Sequence, residues 1–131
     1  MNTNLEKIQN ALMSLLQNQS IDAYTVFLDK ASGRYIQFAG TQNQKLTLDL
    51  PVQSLSEHEF ETAQAVFREY GSDLEVMPLV NRPGGEIVDA HFGFHLQFGQ
   101  ECAAAARVAY YIMLTVFDLK QDFELAIEQN F

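Results

Sequence analysis

Apolar residues recur along this chain in two rhythms, and the rhythms alternate. Leu5, Ile8, Leu12, Leu15 and Leu16 step by threes and fours, which places them on one face of a helix. Thr3 followed by Glu6 has capping-box spacing at its start, and the Asn-Gln-Ser run at 18–20 closes it. Three strand-like segments follow. Ala23 to Leu28 is rich in β-branched and aromatic residues, and Asp29 to Gly33 reads as a hairpin loop. Arg34 to Ala39 comes next, and Gly40 to Gln44 turns the chain again. From Lys45 to Leu50 the alternation is strict: Leu46, Leu48 and Leu50 face in, while Lys45, Thr47 and Asp49 face out. The connecting loops are too short for parallel crossovers, so the three segments predict an antiparallel meander.

Pro51 stops the meander, and Ser56 with Glu59 makes a second capping box. Phe60, Ala63, Val66, Phe67 and Tyr70 line one face of the helix that follows. Glu57, Glu59 and Glu61 load its first turns with the charge that the helix dipole favours, and Gly71 stands at the C-cap position. Leu74 to Val80 predicts a strand that Pro78 confines to an edge or a bulge. Asn81 to Gly85 is a turn signal, and Ile87 to Phe98 a long strand with Phe92, Phe94, Leu96 and Phe98 on one face. A third helix is expected from about Gln100 to Phe117, with Ala105, Val108, Ile112 and Thr115 or Val116 inward. The tail fits two readings. Phe123, Leu125 and Ile127 alternate like a strand, whereas Phe123, Ile127 and Phe131 fit a helix face; a short terminal strand is favoured.

The expected fold is therefore α+β: an antiparallel sheet of about five strands with helices on one face, in the order α-β-β-β-α-β-β-α, with a short C-terminal strand. All 131 residues read as one domain, with no repeat, low-complexity stretch or linker. A chain of this mass buries about two thirds of its extended surface, so a core needs neither metal nor disulfide.

Charge and cysteine use narrow the function classes. Eight Lys and Arg against 17 Asp and Glu give a net charge of −9. The basic residues are scattered, from Lys7 to Lys120, which speaks against nucleic acid and against anionic membrane surfaces. An acidic surface keeps a chain in solution and suits basic partners. The single cysteine, Cys102, forms no intramolecular disulfide, which fits a reducing, cytoplasmic setting. The N-terminal residues lack the basic-then-apolar layout of a signal peptide, and no apolar run approaches the roughly 20 residues needed to span a bilayer.

Candidate chemistry is sparse. Asp89, His91, His95 and Gln97 share strand parity. Two histidines four apart on a helix chelate zinc, but on a strand they stand about 13 Å apart, too far for one ion. They read instead as the polar outer face of a sheet, with histidines that pair with neighbours. A pocket between sheet and helices, with Asp89, His91 and His95 as its polar groups, is the enzymatic or small-molecule-binding alternative. Cys102 sits near a helix start, where thiols become reactive, yet no second cysteine accompanies it, so a small buried core residue is expected. Arg82 with Gly84 and Gly85 precedes a strand rather than a helix and so reads as a turn, not a phosphate loop. There is no Gly-x-Ser-x-Gly elbow, and Asp118 and Asp122 read as a solvated helix end. No catalytic residue, metal or cofactor is assigned.

The aromatic load is high: ten Phe and five Tyr without Trp. Tyr110 and Tyr111 lie about 100° apart on one helix, so both cannot point inward. Exposed aromatic surface marks interfaces more often than catalysis. Tyr35, Asp89, His91, His95, Gln97, Tyr110 and Tyr111 are the candidate interaction residues.

The order of elements, carried by the meander 23–50, the capped helix from Ser56, the long strand 86–98 and the helix from 101, resembles the type III secretion chaperone-like fold group, including its YbjN-like branch. The resemblance covers about nine tenths of the chain and has no diagnostic motif, so no functional residue is carried over. It implies a non-enzymatic, often dimeric protein that binds another polypeptide along exposed sheet and helix surfaces. The strand at 123–127 departs from that pattern and would cover a sheet edge. The expected role is a cytoplasmic protein-binding module acting as a homodimer.

Overall fold

A computed structural model describes residues 3–20, 22–80 and 87–131; the side chains of 75–80 and 87–92 lie outside that description, as does the expected turn at 81–85. The elements run α1 (Thr3–Gln17), β1 (Tyr24–Asp29), β2 (Tyr35–Thr41), β3 (Gln44–Pro51), α2 (Glu57–Glu69), β4 (Leu74–Val80), β5 (Ile87–Gln97), α3 (Cys102–Val116) and β6 (Leu125–Asn130). A single 3₁₀ turn at Val52–Ser54 leads into α2. The strands form one sheet in the order β4-β5-β3-β2-β1-β6, and every pairing is antiparallel. The three helices pack on one face of it.

Strand alternation builds the core. Phe27 faces Ile36 across β1–β2 and Ile127 across β1–β6; Phe38 faces Leu48, and Leu50 faces Phe94. Phe27, Ile36, Phe38, Leu46, Leu48, Leu50 and Phe94 are all fully buried. Phe27 meets Phe38 edge-on at 5.9 Å, and Phe94 stacks on Phe67 of α2 at 5.0 Å. Above this layer lie Ile8, Leu12 and Leu15 of α1 and Ala105, Ala109 and Ile112 of α3.

Local signals place the helices. Ser56 accepts from the Glu59 amide at 3.2 Å, and Glu59 Oε1 accepts from the Ser56 amide at 2.8 Å, so both arms of the capping box form. The same carboxylate oxygen lies 3.0 Å from Arg34 Nη2, which ties the β1–β2 hairpin to α2. Gly71 follows α2 at φ +78°. Helix α1 is clamped at its start: the buried Asn4 amide donates to the carbonyls of Gln121 and Phe123.

Several expectations shift. Gly40 belongs to β2 rather than to a turn, which shrinks to residues 42 and 43. A Cβ on Gly40 would come within 3.1 Å of Leu16 Cδ2 and 3.3 Å of Leu46 Cα, so the bare backbone lets α1 approach the sheet. Tyr70 is exposed, because α2 ends at Glu69 and the chain leaves the helical face there. Cys102 is half-buried rather than enclosed, since it opens α3 at the rim of the core. Thr115 is exposed, and Val116 takes the inward position. The tail forms a strand two residues later than expected, over Leu125–Asn130, and pairs with β1. Pro78 lies on β4, an edge strand of the sheet, as its missing N–H demands.

Candidate functional site

The face of the sheet away from the helices carries three cross-strand rows. The middle row reads His95, Asp49, Gln37, Val26, Glu128 from β5 to β6. The row beside it reads Gln97, Thr47, Ala39, Tyr24, Asn130. On the other side, Gly93 faces Pro51, while Tyr35 faces Leu28, which in turn faces Ala126. Side chains in register across neighbouring strands stand close enough to touch.

These rows divide the face in two. Toward β5 it is polar and closed. His95 Nε2 stands 2.9 Å from Asp49 Oδ1, and Gln37 Nε2 donates to Asp49 Oδ2 at 2.7 Å. One carboxylate thus links three strands. His95 is only 9% exposed. A Cβ at Gly93 would fall 2.7 Å from Asp49 Oδ1 and 3.3 Å from His95 Cε1, so the glycine makes room for the pair. The Ser72 hydroxyl donates to the His95 carbonyl at 2.7 Å and pins the strand from behind.

Toward β1, β2 and β6 the face is apolar and open. Tyr24 is 39% exposed, and Val26, Leu28, Tyr35 and Ala126 are half-buried with no helix over them. Ala39 is exposed, and Glu128 and Asn130 border the patch at the sheet edge.

The expected interaction residues therefore do not form one surface. Tyr35, His95 and Gln97 lie on the helix-free face, with His95 enclosed and Gln97 exposed. Tyr110 and Tyr111 belong to α3, in the opposite layer. Tyr110 is half-buried and donates to the Gln121 carbonyl at 3.2 Å, whereas Tyr111 is 40% exposed. Burial, then Tyr111 and Glu69, raise the Tyr70 hydroxyl above its ordinary pKa. The backbone of Asp89 and His91 runs in β5, but their side chains lie outside the described residues. Alternation alone did not single out Tyr24, Val26, Leu28 and Ala126; their grouping needs the β6–β1–β2 register, which joins distant segments.

Two open clefts lie away from His95. The larger, of about 820 Å³, is lined by Asn4, Lys7, Lys30, Gln121, Phe123 and Glu124, among others, where α1 meets the 120s loop. Its lysines stand among carboxylates, with Lys30 Nζ 3.7 Å from Glu124 Oε1. Among the described residues no three His, Cys, Asp or Glu side chains are placed to hold a metal ion. Burial, and then Glu101, raise the Cys102 thiol above its ordinary pKa, which works against a reactive thiolate at this helix start. Among the same residues, no helix is long and apolar enough to cross a membrane.

Comparison with protein-family models, with curated proteins and with solved structures returns no match.

Proposed function

We propose that this protein is a non-catalytic, chaperone-like polypeptide-binding module that works as a homodimer and engages its partner through the apolar half of the helix-free sheet face. One observation carries the reading: Tyr24, Val26, Leu28, Tyr35, Ala39 and Ala126 are brought side by side by strand register, with no element of the described chain packed over them. Grouped apolar surface of this kind marks interaction sites in water-exposed domains. Glu128 at the margin and the net charge of −9 favour a partner that interleaves apolar with basic side chains. The single cysteine suits work in the cytoplasm. The enzymatic alternative loses ground because His95 Nε2 and Asp49 Oδ1 meet across two strands, with Gln37 on the second carboxylate oxygen.

The test is fluorescence anisotropy with peptides that alternate apolar and basic residues, beside matched peptides in which acidic residues replace the basic ones. The expected result is binding of the basic set, weakened by salt and at least tenfold weaker in Tyr24→Asp and Leu28→Asp. Equal binding of both peptide sets, no binding, or binding indifferent to both variants overturns the reading.

A further inference from the structure

The two edges of the sheet are built differently. β4 carries Pro78, which removes a backbone donor and blunts an edge. β6, of sequence Leu-Ala-Ile-Glu-Gln-Asn, has neither proline nor lysine, and its pairing with β1 runs without a register break. Its outer edge leaves a row of backbone donors and acceptors facing away from β1. Its inner-face residues are Leu125 and Ile127, both half-buried, and Gln129, which donates to the Ala11 carbonyl at 2.9 Å. Beside them a groove of about 400 Å³ runs between α1 and β6, lined by Lys7, Asn10, Ala11, Ser14, Ile127 and Gln129.

From this edge we infer that a second copy of the chain adds its own β6 antiparallel to the first, with the two-fold axis at Ile127. The inference rests on the homodimer reading and names its surface. Residues directly opposite in an antiparallel pair share a face, so a symmetric pairing must be centred on a residue. Three centres lie near the middle of β6, and charge separates them. Centring on Glu128 sets that carboxylate against its own copy. Centring on Ala126 sets Glu124 against Glu128 twice. Centring on Ile127 sets Ile127 against itself, Leu125 against Gln129, Ala126 against Glu128, and Glu124 against Asn130, so no glutamate faces another. Like charges directly opposite destabilise a sheet, and apolar pairs stabilise it. The same register carries Phe131, 55% exposed, over Phe123 of the other copy, a half-buried ring at the wall of the larger cleft. An exposed ring thereby gains a site it lacks in one copy. The two helix-free faces then join into one sheet, with both apolar patches flanking the axis.

The test couples light scattering over a dilution series with oxidative cross-linking in the full chain, in a Cys102→Ser background. Ile127→Cys places two thiols at a directly opposed position, about 4.5–5.5 Å between Cα atoms and within disulfide reach. Glu128→Cys places them diagonally, about 8 Å apart and beyond it. The expected outcome is a dimer that dissociates on dilution, with cross-linking of Ile127→Cys at least tenfold faster than of Glu128→Cys. Ile127→Lys should be monomeric at every concentration with an unchanged circular dichroism spectrum; if it unfolds, the cross-linking comparison decides alone. A dimer that fails to cross-link preferentially at 127 overturns the β6 pairing and leaves the homodimer reading standing. A monomer at all concentrations overturns both.

Discussion

Asp49 and His95 meet across β3 and β5 at 2.9 Å, on the sheet face that has no helices, yet His95 is almost wholly enclosed. Gln37 holds the second carboxylate oxygen at 2.7 Å, so removing Asp49 takes a partner from both the enclosed His95 and the half-buried Gln37. Asp49→Ala should lower stability by about 2–3 kcal/mol, because the partners of a lost buried group keep their desolvation cost. Urea unfolding with an unchanged slope reads this directly; a change under 0.5 kcal/mol sinks the assignment.

Gly93 is coupled to that pair. An added methyl group meets Asp49 Oδ1 at 2.7 Å, so Gly93→Ala should cost about 1–3 kcal/mol. Part of that cost comes from the carboxylate itself. In a double-mutant cycle, Gly93→Ala should therefore be milder in the Asp49→Ala background, by at least 0.5 kcal/mol. Strict additivity contradicts this account.

The capping box gives a third expectation. Ser56→Ala should cost about 1 kcal/mol through loss of the cap at α2. Glu59→Ala should cost more, since Glu59 Oε1 serves both the Ser56 amide and Arg34 Nη2. Thermal unfolding of the two variants side by side checks the order.

The Cys102 thiol supplies a pH test. Its folded pKa is raised by burial and by Glu101, so the folded state disfavours the thiolate. Stability from this group is present below the unfolded thiol pKa and is lost as pH rises through and above it. Alkylation by iodoacetamide should accordingly be slower in the folded chain than in urea between pH 7 and 9. Equal rates would falsify this reading.

Much of the fold was legible because it is written in local periods. The strict alternation of Leu46, Leu48 and Leu50, and the Ser56–Glu59 spacing, each specify an element within a few residues. Gly40 was misleading: a glycine after a strand signals a turn, and only the approach of Leu16 from α1 shows why it stays in the strand. His95 had the right parity for the outer face, and pairing with a neighbour was expected of it. Its burial was not legible, because Asp49 reaches it, and Gln37 reaches Asp49, only through the strand registers. The apolar patch was hidden for the same reason: β6 joins β1 across about a hundred residues, as in the contact of Gln129 with Thr25 at a separation of 104.

That separation bears on the order of assembly. Helix α1 is clamped through Asn4 to the Phe123 carbonyl, 119 residues away, and β1 reaches its full complement of partners only when β6 arrives. The α1 and β1 segments, made before β6, are thus among the last to be satisfied. Closing so long a loop is slow, since its entropy is lost before the contacts form. While a nascent chain waits, the β1 edge stands open, and whatever shields it in the cell during those moments governs how much protein reaches the native sheet.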